Sequence, residues 1–133
     1  MRSFDLTLSD QIPSGKNQTR KVYSESLHRM MIIPNERFTS WRGEAGAEIL
    51  TQQSLWPAAV KLRMPLAIPL KIYISYHPLD KRIRDLPGCM DAIWHLLVFT
   101  RIIKDDSWLK GVTWEYPYRT FGPCVQLRLE YEE

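Results

Sequence analysis

The sequence predicts an α+β two-layer sandwich, a mixed sheet of about four strands with two main helices on one face, in the order β-α-β-α-β-β. Three observations predict it. Apolar and polar residues alternate near both ends and in the middle of the chain, the period of a half-buried strand. Apolar residues at spacings of three and four mark helices between those segments. No internal repeat, low-complexity tract or linker interrupts the order, so residues 1–133 read as one domain.

The first strand is read from Phe4, Leu6 and Leu8 alternating with Asp5, Thr7 and Ser9. Residues 12–20 break the pattern with Pro13, Ser14, Gly15 and Asn17, all loop formers. Pro34 and Asn35 form a helix entry with Asn35 as N-cap, and Phe38, Trp41, Ala45 and Ile49 give the helix one apolar face, ending before Pro57. Leu70, Ile72, Ile74 and Tyr76 alternate with Lys71, Tyr73, Ser75 and His77 in a second strand that Pro78 stops. Pro87 suits the first turn of the next helix, where its missing N–H costs little. That helix is apolar almost all round (Ile93, Trp94, Leu96, Leu97, Val98, Phe99), so burial against a sheet or a partner subunit is expected. Val112, Trp114 and Tyr116 suggest a third strand, and Val125, Leu127, Leu129 and Tyr131 a fourth.

Composition sets bounds on function. Hydrophobic residues make up 44% and charged residues 25%, ordinary for a globular chain. The net charge of +3 is too small to announce nucleic acid by itself. Its distribution says more, because Lys16, Arg20 and Lys21 cluster, as do Lys81, Arg82 and Arg84, and clustered cations create a local positive field. Cys89 and Cys124 lack the paired spacing of a zinc site, so free thiols are expected. Asp5 and Asp10 interrupt any N-terminal signal-like stretch, and the longest near-apolar run, 92–99, is too short to span a membrane. A reducing, cytoplasmic location is the expectation.

Residues 79–106 hold the most chemistry. A basic turn (Lys81, Arg82, Arg84) leads to Asp85; Asp91 follows early in the helix, and Asp105–Asp106 come after it. A helix over 88–99 rises roughly 18 Å. A chain that reverses near Thr100 and runs extended over 101–106 recovers roughly 20 Å. The two nearly cancel, which brings Asp105 or Asp106 back beside Asp85 and Asp91. Adjacent acids on a strand point to opposite faces, so one of that pair is expected to enter the site. Carboxylates at one place suit Mg²⁺, which can activate water and neutralise charge on a phosphodiester. The same acids also suit helix capping and the helix dipole, and Asp91 with His95 suits a surface hydrogen bond.

With those residues in view, the chain resembles the RusA family of Holliday-junction resolvases over nearly its whole length. The resemblance rests on Pro13, Ser14 and Asn17 in the early loop and on Trp41–Arg42 in the first helix. It continues through the strand ending at Tyr76, Pro78, Lys81–Arg82 and Arg84–Asp85–Leu86, to Asp105–Asp106 at an ungapped spacing from Asp85. It implies a structure-selective endodeoxyribonuclease that uses Mg²⁺, or Mn²⁺, to resolve four-way junctions as a homodimer. Five tryptophans and the apolar helix make a dimer physically reasonable. The expected metal ligands are Asp85, Asp91 and Asp105 or Asp106, with Asp85, Asp91 and Asp106 catalytic. Lys16, Asn17, Arg20, Lys81, Arg82 and Arg84 are expected along the DNA path.

Two departures stand out. The family continues Asp-Leu-Asp-Asn where this chain has Asp85–Leu86–Pro87–Gly88, and it places a catalytic lysine where this chain has Asp91. Asp91 is expected to restore the lost carboxylate one turn along. The alternative is a junction-DNA-binding protein of the same fold without cleavage. A third class, an enzyme for small phosphorylated substrates, is disfavoured because no Gly-rich phosphate loop is present.

Overall fold

The computed structural model describes residues 1–13, 19–34, 36–78, 86–116 and 124–132, with the backbone alone at 19–21 and 32–34. The described elements run β1 (Arg2–Leu8), β2 (Thr19–Ser24), β3 (Arg29–Pro34), α1 (Glu36–Gln52), α2 (Ala58–Lys61), β4 (Leu70–Tyr76), α3 (Leu86–Phe99), β5 (Leu109–Glu115) and β6 (Val125–Tyr131). Four strands form a mixed sheet in the order β1-β6-β4-β5. β6 lies antiparallel to both β1 and β4, whereas β4 and β5 are parallel. The expected α+β architecture is therefore present.

Alternation decides which sheet face is covered. Phe4, Leu6 and Leu8 of β1, Leu70, Ile72, Ile74 and Tyr76 of β4, and Val125, Leu127, Leu129 and Tyr131 of β6 are buried. They join Phe38, Trp41, Ala45 and Ile49 of α1 and Cys89, Ala92, Ile93, Leu96 and Leu97 of α3 in one core cluster. Burying large apolar side chains at roughly 1.5–3 kcal/mol each drives this layer together. Both cysteines are free and buried. Among the described residues no helix is long and apolar enough to cross a membrane.

α3 is buried against the sheet layer, as expected, but with one face only. Its buried residues recur at three- and four-residue spacings, while Asp91, His95, Val98 and Phe99 are exposed. The high apolar content of this helix exceeds what its packed face requires. The tryptophans likewise serve the chain's own interior: Trp41 and Trp56 are buried, and Trp94, Trp108 and Trp114 pack against the core.

A second difference is the antiparallel β2–β3 hairpin, a separate two-stranded sheet where the sequence pattern suggested no strands. Its turn lacks the Asn-Gly or Asp-Gly signal, because His28 takes the left-handed position at φ 51°.

The chain reverses after α3 near Thr100, but residues 101–106 do not run extended as expected: they form a turn, a bridge at Ile103 and the entry to a 3₁₀ turn. The Ile102 amide donates to the Leu97 carbonyl (3.0 Å) and the Arg101 amide to the Val98 carbonyl (3.1 Å), the paired bonds of a Schellman cap. Arg101 sits at φ 61°, where glycine is usual. The return is not a free strand. The Leu66 amide donates to Ile102 O and the Lys104 amide to Leu66 O, both 2.9 Å, and a 3₁₀ turn then spans Asp106–Trp108.

The free edge of β1 is covered by side chains. The Thr7 amide donates to Gln52 Oε1 and Gln52 Nε2 donates to the Thr7 carbonyl, both at 2.7 Å. Trp56 Nε1 donates to the Asp5 carbonyl at 2.7 Å, and Glu48 Oε2 accepts from the Ser9 amide at 3.1 Å. These groups occupy an edge that would otherwise pair with another chain.

Two outcomes follow for denaturation measurements. Gln52→Ala should cost roughly 1–2 kcal/mol, because two partly buried backbone groups lose their partner. Arg101→Gly should add about 0.5–1 kcal/mol, since a left-handed non-glycine residue is strained and the freedom of unfolded glycine returns only part of the gain.

Candidate functional site

The sheet register collects the carboxyl ends of β1, β4 and β5 with the amino end of β6. Leu8 and Tyr76 both pair with Val125, and Ser75 pairs with Glu115. The Ile12 amide donates to Tyr76 Oη at 3.1 Å. Beyond the strand, the His77 amide donates to the Cys124 carbonyl at 3.0 Å, and the Cys124 thiol to the His77 carbonyl at 3.3 Å. Tyr76, Trp114 and Tyr116 form an aromatic cluster, with centroids 5.9 Å apart for Tyr76–Trp114 and Trp114–Tyr116.

From this end the chain enters both of its basic stretches, one beyond Pro13 and one beyond Pro78. Lys16, Asn17, Lys81, Arg82, Arg84 and Asp85 lie outside the described residues. Arg20 belongs to β2, opposite Ile33. His77, passed over in the sequence, also stands here, with both ring nitrogens buried and without a hydrogen-bond partner among the described residues. Its place in the series Lys71, Tyr73, Ser75 and His77 was visible, but the burial of its ring nitrogens depends on how the strand ends meet.

The other acids are described. Asp91 is exposed on α3, and Asp105 and Asp106 are exposed at the start of the 3₁₀ turn rather than on a strand. That turn packs against α3. Asp91 stands about 12 Å along the helix from Phe99, and Asp106 is within about 10 Å of Ile103 by chain length. Asp106 thus follows closely on the C-terminal end of α3, where the Ile103 amide donates to the Leu97 carbonyl at 3.3 Å. Among the described residues no group of three or more His, Cys, Asp or Glu is placed to hold a metal ion. Asp91, Asp105 and Asp106 do not complete such a group by themselves.

One turn beyond Asp91, the His95 ring is engaged from α1 by Arg42. Arg42 Nη1 lies 3.1 Å from His95 Nε2, which fixes that nitrogen as the acceptor because guanidinium only donates. The Arg42 guanidinium also covers the Phe99 ring at 4.3 Å, and Phe38 meets His95 edge-on at 5.1 Å. A clasp between α1 and α3 thus accounts for His95.

The open sheet face carries a cleft of about 640 Å³ lined in part by Asp5, Tyr73, Ser75, Glu115, Arg128 and Glu130. Arg128 Nε bonds Asp5 Oδ1 at 2.8 Å. Three acids around one committed cation make this cleft a poor phosphate site.

Asp105 is held below its usual pKa, chiefly by the Ser107 hydroxyl, which donates to Oδ2 at 2.9 Å, with the Asp106 and Ser107 amides adding to it. No protein-family model matches this chain. No curated protein matches it.

Because the folded pKa of Asp105 is lowered, its bond to Ser107 stabilises the fold above the ordinary carboxylate range and is lost as pH falls through the lowered value. Ser107→Ala should move the Asp105 titration upward, read from its side-chain carboxyl signal by NMR.

Proposed function

We propose that this chain is a Mg²⁺-dependent, structure-selective endodeoxyribonuclease that resolves four-way and other branched DNA in recombination and repair, working as a homodimer in the cytoplasm. The observation that carries the reading is the packing of the Asp106–Trp108 turn against α3, the helix that bears Asp91 and directly follows Asp85. The residues fit the metal by their chemistry: all the donors are carboxylate oxygens, and Ser107 keeps Asp105 ionised. Asp85, Asp91 and Asp106, with Asp105, would hold Mg²⁺ or Mn²⁺. The ion would activate a water and neutralise charge on the scissile phosphodiester.

Lys81, Arg82 and Arg84 would take the phosphates on one side, and Lys16, Asn17 and Arg20 those on the other. Support comes from Pro13 and Pro78, from which the two stretches leave at one end of the sheet. Arg84 is the cation nearest in sequence to take over the role of the lysine replaced by Asp91. The second reading is junction binding without cleavage, favoured by Pro87 standing where an acid is expected.

A four-way junction incubated with and without Mg²⁺ tests both readings. Paired incisions that need the metal support the nuclease. Asp91→Asn should then abolish cleavage as fully as Asp85→Asn while leaving junction binding intact. Binding with no incision in Mg²⁺ or Mn²⁺ selects the binder. Arg82→Ala with Arg84→Ala should weaken binding to junctions of any sequence and lower the salt slope by about 0.9 per lost phosphate contact.

A further inference from the structure

Among the described residues the β2–β3 hairpin stands apart from the four-stranded sheet, its strands pairing only with each other. Two-stranded hairpins are marginal in water without something to pack on. This one turns apolar side chains outward. Tyr23 and Met30 face each other across the register and are 58% and 59% exposed, and Leu27 at the turn is 51% exposed. The turn has its own support, since the Leu27 amide donates to Ser24 Oγ at 3.3 Å and His28 adopts φ 51°. Over residues 19–34 the chain carries Arg20, Lys21 and Arg29 against a single acid, Glu25.

We infer that this hairpin is a branch-point wedge for DNA: unpaired bases stack on Tyr23 and pack against Met30 and Leu27, while the flanking cations meet backbone phosphates. The inference rests on the DNA reading above and extends it to Tyr23, Leu27 and Met30, which that reading leaves unused. An aromatic side chain offers every base a stacking face, and apolar side chains inserted at a step open it. The charge selects the occupant. A second copy of the hairpin would bring like charge against like, whereas a polyanion with exposed apolar rings satisfies both the cations and the apolar face.

The test uses the full chain and a four-way junction carrying 2-aminopurine at the branch point. Wild-type protein should raise the fluorescence on binding, as the base leaves its stack. The double variant Tyr23→Ser with Met30→Ser should lose that rise and bind the junction weaker by on the order of tenfold, the effect of one lost stack. Its salt slope and its affinity for unbranched duplex should stay unchanged, and Tyr23→Phe should behave as wild type. These side chains are exposed, so thermal unfolding should match wild type.

Equal fluorescence and affinity in the double variant would overturn the wedge while leaving the DNA reading standing. Loss of self-association in that variant, or loss of binding to phosphatidylserine vesicles, with junction binding intact, would also overturn it. Wild-type protein that binds junction no better than duplex brings down the DNA reading, and the wedge with it.

Discussion

The parallel pairing of β4 with β5 is the constraint on which the rest of the molecule depends. Parallel neighbours cannot be joined by a tight turn, so the chain must cross back over the sheet, and α3 is that crossing. The crossing puts the apolar stripe Cys89, Ala92, Ile93, Leu96 and Leu97 onto the sheet and sends Asp91 and His95 outward. It must also be undone before β5 can start beside Leu70. The Schellman cap at Arg101 and the bonds tying residues 102 and 104 to Leu66 accomplish this within a few residues. The position of Asp105 and Asp106 against α3 is a by-product of that route.

The same sheet secures its β1 edge and its middle differently. β1 is sealed by α1 and the turn after it, with Gln52 imitating a neighbouring strand through its two amide atoms. A glutamine can do so because its side-chain amide sets a donor nitrogen beside an acceptor oxygen, and the second hydrogen on Nε2 goes to the Glu48 carbonyl at 3.0 Å. β6 needs no such cover, being flanked by β1 and β4. Order in the middle of the sheet comes from backbone ladders, and order at its β1 margin comes from side chains of α1.

Polar and apolar surfaces are also divided along the molecule. One face of the sheet is dry, and the other carries ion-paired, mixed charges typified by Asp5 and Arg128. Neither makes a phosphate site. The residues that the proposed DNA reading uses belong instead to the sequence stretches that follow Pro13 and Pro78, to the hairpin with Tyr23 and Met30, and to the acids on and after α3. A rigid layer with chemistry at its margin is the ordinary division of labour between scaffold and loops.

What the sequence determined by itself was local. The strand Leu70–Tyr76 and the apolar face of α1 are legible because period-two and period-3.6 patterns belong to each segment alone. The extended return expected after α3 was not: residues 101–106 turn and bridge to Leu66 instead of running as a strand. The hairpin was not, since His28 holds the left-handed turn position without glycine or asparagine. Nor was the one-sided burial of α3, because Val98 and Phe99 look like core residues until the packed neighbours of the helix are known. Tertiary structure alone decided that β6 lies between β1 and β4, that His95 answers Arg42, and that Asp105 and Asp106 open a 3₁₀ turn. The physical reason is range. Periodicity is written in neighbouring residues, whereas strand order, side-chain partners and burial are settled by which distant segments close one core and satisfy each other's hydrogen bonds.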